Sequence, residues 1–244
     1  MNVTLLTNQV AAEQIFLALS RRRDEYLQTH QRIAIAHPNW VTQNDARTNL
    51  LGKPINMLLI AMVNVRLNQT ILDDVGFWSS CLSPDLQTPD QIAPTLFEQN
   101  VFYRFGFFIF LMSNIEHGFR AIQPKVIHGL DAQSEKPFYD VYKTLFQATL
   151  STGEAQRYIE LYDFLRTLRN TIHNNAVYSP VNGKSATYSV HGRVYSFSVG
   201  KRVDLFSWDN MCDWLGPIRE SLESILTSPK VEAIGHISDI ACHP

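Results

Sequence analysis

Hydrophobic residues recur at helical spacing over most of the chain, which predicts a mainly α-helical protein. The clearest stripe is formed by Leu161, Leu165, Leu168 and Ile172, at successive steps of four, three and four residues. Such steps place one side of a helix against a core. The same reasoning predicts helices over residues 1–37, 54–75, 94–122, 137–150 and 207–226. Apolar residues on most faces of the helix at 54–75 indicate that this helix is buried.

The helix that carries the clearest stripe has recognisable ends. Ser151 and Glu154 have the spacing of a capping box, in which each side chain bonds the other residue's backbone N–H. Asn174 and Asn175 tolerate the left-handed conformation that ends helices, and Pro180 blocks continuation. We therefore predict one helix from about residue 151 to residue 175.

A different pattern follows this helix. Apolar and polar residues alternate over 186–190 and 193–197, on either side of His191 and Gly192. Alternation is typical of half-buried strands, and glycine supplies the positive φ that a tight turn needs. The sequence thus predicts a small β-hairpin within residues 185–200.

The predicted elements suggest how the chain is organised. Residues 91–228 are expected to form a helical bundle that includes the hairpin. Residues 1–90, which end in a proline-containing irregular segment, are expected to pack on the bundle as an N-terminal helical segment. Residues 229–244 are expected to form a loosely attached tail.

Composition limits the function classes. The chain has 244 residues, a formal net charge of −2 and a pI near 6.4. Proteins that bind nucleic acid through overall positive charge are more basic, so any contact with phosphate must be local. We find neither a signal-peptide pattern nor an unbroken apolar run of about 20 residues. Cys81, Cys212 and Cys242 lack metal-binding spacing and are expected to be buried thiols. We expect a cytoplasmic protein with no membrane partner, metal or cofactor.

A second, polar stripe lies beside the apolar stripe of the helix at 151–175. It consists of Arg166, Arg169, Asn170 and His173, which share one helical face. Guanidinium groups bind phosphate oxygens in a fork, and imidazole can gain or lose a proton near neutral pH. The set contains the groups that cleavage of a phosphodiester without a metal requires.

Glu116 and Arg120 are a weaker candidate pair. They lie i,i+4 on the aromatic helix at 94–122, in the favourable orientation for an ion pair within a helix. The pair is either a structural salt bridge or a contribution to substrate binding. The aromatic residues of this helix indicate a core helix or a dimer seam.

At Arg169-Asn170 followed by His173, the sequence resembles the HEPN superfamily (higher eukaryote and prokaryote nucleotide-binding domain). The signature of that superfamily is an arginine, often followed by Asn, Asp or His, with a histidine four to six residues further on. Three residues separate Arg169 from His173, whereas six separate Arg166 from His173. The resemblance covers roughly residues 97–226.

The resemblance implies an up-and-down helical bundle, usually dimeric, in which two copies of the motif build one RNA-cleaving cleft. Many members are metal-independent ribonucleases of toxin–antitoxin or phage-defence systems. The resemblance further implies that the 2′-hydroxyl of the RNA attacks the adjacent phosphate. His173 would then move the proton, Arg166 or Arg169 would stabilise charge, and Asn170 would orient one of these arginines.

Two alternatives stay open. The superfamily also contains members that bind a nucleotide or a protein partner without catalysis, and this chain could be such a scaffold. It could also be a purely structural helical protein, in which His173 only bonds the last carbonyls of its helix. The predicted partners are therefore RNA or a nucleotide, a second copy of the chain and an antitoxin protein.

Overall fold

A computed structural model describes residues 9–42, 45–74, 76–77, 80, 88–127 and 136–239. Within these ranges the protein is mainly α-helical with one antiparallel β-hairpin, which confirms the predicted fold class. The elements in chain order are α1 (Gln9–Ala36), α2 (Pro38–Thr42), α3 (Ala46–Asp73), α4 (Pro89–Val126), α5 (Phe138–Thr149), α6 (Thr152–His173), β1 (Ala186–Val190), β2 (Arg193–Phe197), α7 (Trp208–Leu226) and α8 (Pro229–Glu232).

Some predicted features lie outside the described residues, namely residues 1–8, residue 75, residues 240–244, Cys81 and Cys242. Cys212 is described and buried, as predicted. Burial raises the pKa of its thiol to about 12, so the thiol stays protonated at neutral pH.

The helices pack around one large hydrophobic core. Helix α1 lies along α3, α3 packs against α4, and α4 contacts α5 and α6. Helix α7 closes the bundle against α1. One large cluster of buried apolar side chains extends from Ala12 to Ile237, and a small separate cluster on α4 contains Ile92 and Leu96. Its centre is aromatic, with ring contacts among Phe119, Tyr142, Phe146 and Tyr162.

Helix α3 begins at Ala46 and not after Pro54 as predicted. Asp45 caps it by accepting a hydrogen bond from the Arg47 backbone N–H at 2.9 Å. Pro54 lies inside the helix, where it cannot donate to the Leu50 carbonyl four residues earlier. The side-chain amide of Asn114 on α4 donates to that carbonyl at 3.4 Å instead. A tertiary contact therefore accommodates the proline.

The outer face of α3 is apolar and exposed, so the prediction of a helix buried on most faces was wrong. Leu59, Ile60, Val63 and Leu67 are each about half exposed. Among the described residues, the stretch Ala46–Ile71 is the one helix long and apolar enough to cross a membrane, a test that core helices of ordinary proteins also meet. Its opposite side packs against α1 and α4.

The segment after α7 is held firmly in the part that the structure describes, contrary to the predicted loose tail. Val231 and Ile237 are buried. The Arg47 side chain pairs with Asp45 and donates to the backbone carbonyls of Val231, Ile234 and Gly235. We call the side chains of Asp45 and Arg47, together with these three carbonyls, the Arg47 clasp.

Helix α6 has the predicted extent but a different N-terminal contact. The Ser151 hydroxyl donates to the Glu154 carboxylate at 2.6 Å and does not cap the backbone. At the other end the helix stops at His173, and Asn175 and Ala176 adopt positive φ values of 55° and 63°. This left-handed turn sends the chain back over the end of the helix.

The predicted hairpin forms with the predicted bounds. Strand β1 pairs antiparallel with β2, and Tyr188 lies opposite Tyr195. The turn residues His191 and Gly192 both have positive φ, at 51° and 77°. This geometry matches the right-handed twist of the two strands.

Candidate functional site

The apolar stripe of α6 determines which of its side chains reach solvent. Leu161, Leu165 and Leu168 are buried in the core as predicted, and Ile172 is half-buried. Because side chains three and four residues apart share a face, the positions opposite this stripe point away from the core. Arg166, Asn170 and His173 occupy those positions.

An open groove of about 660 Å³ lies between the end of α6 and the segment that follows it, and we call it the motif groove. Arg166, Asn170 and His173 line its helical side. The segment at 178–188 forms the other side, with Tyr178, Asn182, Lys184 and Tyr188 among its lining residues.

Backbone and side-chain hydrogen bonds hold the groove's second wall in place. The Tyr178 N–H donates to the Lys201 carbonyl at 3.0 Å, and the Tyr188 hydroxyl lies 2.8 Å from the Thr167 hydroxyl on α6. Thr167 donates its own proton to the Asp163 carbonyl at 2.8 Å. Tyr188 is therefore the donor to Thr167, which fixes the hairpin to the helix.

His173 is the last residue of α6 and is exposed. Within the described part of the chain, its ring forms no hydrogen bond or ion pair and faces the groove. The ring is thus accessible to a ligand in the groove.

Arg166 is half-buried and lines the groove. Its Nη2 lies 3.6 Å from the Asp163 carboxylate, and its Nε is buried without a hydrogen-bond partner in the described structure. Burial acts to lower its pKa, but Tyr142 and Asp163 outweigh this effect and raise the pKa. Arg166 therefore remains a cation at all ordinary pH values.

Arg169 points away from the groove and towards α4. Its Nη1 donates to Glu116 at 2.5 Å, and the other oxygen of Glu116 accepts from Arg120 at 2.7 Å. Burial acts to raise the pKa of Glu116, but the two arginines outweigh it and lower the pKa. We call Glu116, Arg120 and Arg169 the Glu116 cluster.

The structure thus divides the six predicted site residues into two groups. Arg166, Asn170 and His173 come together in the motif groove, and Glu116, Arg120 and Arg169 form the Glu116 cluster behind it. Arg169 and Asn170, although adjacent in the sequence, belong to different groups because successive helical positions differ by about 100° in direction.

The groove is locally positive in a chain whose net charge is −2. Arg166 and Lys184 contribute permanent positive charges, and His173 can contribute a third. Among the described lining residues there is no carboxylate. An anionic ligand would therefore meet attraction in the groove, which the Asp163 carboxylate 3.6 Å from Arg166 reduces in part.

Sequence reasoning missed the residues of the second wall. Tyr178, Lys184 and Tyr188 follow the motif helix in an irregular segment and in the first strand of the hairpin. The available signal was the left-handed turn predicted at Asn174–Asn175, which reverses the chain. It predicted where the helix ends, but not that the chain reverses or that these side chains would face Arg166 and His173.

Within the described residues, no group of three or more His, Cys, Asp or Glu side chains lies close enough to hold a metal ion. The chain matches no protein-family model, no curated protein and no solved structure.

Proposed function

We propose that the protein is a metal-independent endoribonuclease of the HEPN type that cleaves RNA in the cytoplasm, within a toxin–antitoxin or phage-defence system. One observation carries the proposal: Arg166, Asn170 and His173 line one open groove whose described walls contain no carboxylate. An exposed imidazole, a permanent cation and an amide on one helical ridge are the groups that phosphodiester cleavage needs.

The reaction assigns one role to each group. Neutral His173 accepts the proton of the 2′-hydroxyl, whose oxygen attacks the adjacent phosphorus. The bond from phosphorus to the 5′-oxygen breaks, that oxygen takes a proton from water, and a 2′,3′-cyclic phosphate remains; His173 then returns its proton to the solvent. Arg166 stabilises the charge that develops on the phosphate, and Asn170 donates a hydrogen bond to the strand between them.

Helix geometry indicates the size of the substrate. His173 follows Arg166 by seven positions, which corresponds to about 10 Å along the helix axis. Side chains lean towards the helix N-terminus at both positions, so the lean leaves this separation unchanged. The two groups therefore contact successive parts of a strand, which favours an oligonucleotide over a mononucleotide.

A second candidate function is nucleotide or protein binding without catalysis. It is favoured by the position of Arg169, the arginine that directly precedes Asn170 in the signature. This guanidinium is paired with Glu116 at 2.5 Å and lies in the Glu116 cluster. If catalysis required Arg169 at the phosphate, the groove would bind a ligand and leave it intact.

Cleavage of labelled single-stranded RNA in the presence of a chelator tests the proposal. We expect products that end in a cyclic phosphate. His173→Ala should lower the rate by about 10²–10⁴-fold, the usual contribution of general acid–base catalysis. The thermal midpoint should hardly change, because the ring is exposed and unbonded within the described structure. His191→Ala, at an exposed turn outside the groove, is the matched control and should cleave normally.

The outcomes separate the two candidates. Full activity of the His173→Ala protein would remove the assigned role of the imidazole. RNA binding by the unaltered protein without any product between pH 5 and pH 9 would support the binding scaffold. Arg166→Ala should then weaken binding, because the groove would still use this cation to hold phosphate.

A further inference from the structure

A second groove lies between α3 and α4, and the proposed function gives it no role. It measures about 700 Å³, a volume typical of small-molecule sites. Its walls are mostly apolar, and Phe102 and Phe110, which line it, are 80% and 70% exposed. Exposed apolar side chains that gather around a cavity mark binding sites. We call this cavity the α3–α4 groove and define it by Lys53, Ile60, Phe102, Phe110 and His117.

Polar and apolar side chains separate along the length of the α3–α4 groove. On α4 its wall begins with Phe102 and ends with His117, and every serine, asparagine and histidine of that wall lies at or after Ser113. On α3 the wall begins with Lys53 and becomes apolar one turn later. Lys53 and His117 both contact the Asp239 carboxylate, so the polar parts of the two helices meet at one end of the groove.

The apolar part of the groove has the length of one hydrocarbon chain. Phe102 and Ser113 are eleven positions apart on α4, which corresponds to about 16 Å along the helix axis. An acyl chain spans half of the hydrocarbon core of a bilayer, or about 15 Å. Gly106 lies within this stretch and keeps it open, because a Cβ added there would meet nothing within 4 Å. An extended acyl chain therefore fits along α4.

The polar end of the groove can hold a carboxylate. The Lys53 ammonium has three N–H donors, of which one meets Asp239 at 3.3 Å, and the lysine side chain is 36% exposed. Two donors are therefore left for a ligand. The Asp239 side chain is 1% exposed and also accepts from Asn49 at 2.6 Å. Because Asp239 offsets part of the lysine's charge, a bound carboxylate would be held mainly by hydrogen bonds from the ammonium and from the exposed Ser113 hydroxyl.

We infer that the α3–α4 groove binds a fatty acid as a single molecule. The acyl chain lies along the apolar side chains of α4, and the carboxylate accepts hydrogen bonds from Lys53. Among the described lining residues, Lys53 is the one permanently charged group. A ligand with one anionic end and one apolar chain matches both this single cation and the apolar length of the groove.

The charges near the groove favour a free fatty acid over a membrane surface. Helices that lie on membranes carry several lysines and arginines beside their apolar side. Here Arg66 on α3 pairs with Glu13 on α1 at 2.6 Å, so its charge is already neutralised within the chain. A single cation at one end of the groove suits one head group and not a layer of them.

The inference goes beyond the proposed function and does not depend on it. None of the residues that line the motif groove is among those that line the α3–α4 groove. Fatty-acid binding is measured by calorimetry, whereas the proposed function is measured by RNA cleavage. Failure of one therefore leaves the other standing.

Isothermal titration calorimetry of the full chain with octanoate, decanoate and dodecanoate, each below its micelle concentration, tests the inference. We expect one bound molecule per chain and an affinity that rises about two- to fourfold for each added methylene, since a fully buried methylene contributes about fourfold. Lys53→Met should weaken decanoate binding about tenfold, the usual effect of losing a hydrogen bond to a charged group. The same variant should bind decanol as the wild-type protein does, which would show that the groove is intact.

Gly106→Leu fills the groove and displaces two or three methylenes of the chain, so it should lower the affinity for both decanoate and decanol at least about tenfold. Gly153→Leu is the matched control, because Gly153 is a helical glycine of α6 outside the groove where an added Cβ also meets nothing within 4 Å. It should bind both ligands normally. Leucine is a better helix former than glycine, so neither substitution should unfold the protein.

Absence of decanoate binding by the wild-type protein would overturn the inference, as would normal binding by Gly106→Leu. Equal weakening of decanoate and decanol by Lys53→Met would also overturn it, because the lysine would then not recognise the carboxylate. Sedimentation of the protein with phosphatidylcholine vesicles, or its self-association, without any uptake of decanoate would assign the groove to a membrane or to a second copy of the chain and would likewise overturn the inference.

Discussion

Arg47 and Arg166 are two helical arginines in opposite situations. Arg47 is 1% exposed, and its five N–H groups meet the Asp45 carboxylate and three backbone carbonyls. Arg166 is half-buried beside an open groove, one carboxylate is 3.6 Å away, and its Nε has no partner in the described structure. A fully bonded, buried cation holds the fold together, whereas a guanidinium at the edge of an open groove can hold a ligand.

The largest expected effect comes from breaking the Arg47 clasp. Arg47→Met leaves the Asp45 carboxylate buried without its cation and removes the donors to three carbonyls. Loss of one member of a buried pair typically costs about 3–5 kcal/mol. We therefore expect the free energy of unfolding, measured by urea denaturation, to fall by that amount. RNA cleavage per folded molecule should be unchanged.

Two further variants make this comparison quantitative. Arg193→Met removes an arginine that pairs with Asp213 on the surface and should cost at most about 1 kcal/mol. Combining Asp45→Asn with Arg47→Met removes both charges and should recover part of the loss, because no carboxylate is then left unpaired. If Arg47→Met and Arg193→Met were equally stable, the clasp would not hold the C-terminal segment.

The same contrast explains what the sequence could predict. The groove side of α6 follows from local spacing, since Arg166, Asn170 and His173 lie within two turns of one helix. The hairpin follows from alternation and from the His191-Gly192 turn. Both are local patterns, and the structure has the helix and the strands where the patterns placed them.

The contacts that the sequence did not predict join distant parts of the chain. Arg47 meets carbonyls more than 180 residues later, and Arg169 meets Glu116, which is 53 residues earlier. Asn114 accommodates Pro54 from another helix. A local pattern says which side chains share a face, but not which face of another helix lies opposite. The direction of Arg169 therefore could not be deduced.

Loss of the Glu116 carboxylate from the Glu116 cluster should have a moderate effect on the free energy of unfolding, and this effect should depend on pH. Hydrogen bonds to charged groups contribute about 1.5–3 kcal/mol, so Glu116→Gln should lower the free energy of unfolding by about that amount at pH 7. The pKa of Glu116 is lowered in the folded protein, so the stabilisation is complete above its ordinary value of 4.5. It is lost as the pH falls through the lower folded value.

Acid titration of stability provides the measurement. Between pH 5 and pH 2, the unfolding free energy of the wild-type protein should fall more steeply than that of Glu116→Gln, because only the wild type must protonate this carboxylate. Asp45 contributes equally to both proteins and cancels in the difference. Parallel curves would show that the two arginines do not stabilise ionised Glu116.

The smallest expected loss of stability comes from weakening the second wall of the motif groove. Tyr188→Phe removes the hydrogen bond to Thr167 but leaves Thr167 bonded to the Asp163 carbonyl, so no donor is stranded. We expect a loss of about 0.5–1.5 kcal/mol in stability. The wall would be held less firmly against the helix, so the KM for RNA should rise a few-fold while kcat changes little.

Tyr195→Phe is the matched control for this last prediction. Tyr195 lies opposite Tyr188 in the hairpin, and its hydroxyl accepts from the Trp214 indole at 3.2 Å, outside the groove. Loss of the Tyr195 hydroxyl leaves the buried indole N–H unpaired, so Tyr195→Phe should cost at least as much stability as Tyr188→Phe. Only Tyr188→Phe should change the KM. The two tyrosines lie in the same hairpin, but Tyr188 bonds Thr167 at the groove and Tyr195 bonds Trp214 outside it. Equal changes in KM for both variants would therefore mean that general loosening of the hairpin, and not the groove wall, governs RNA binding.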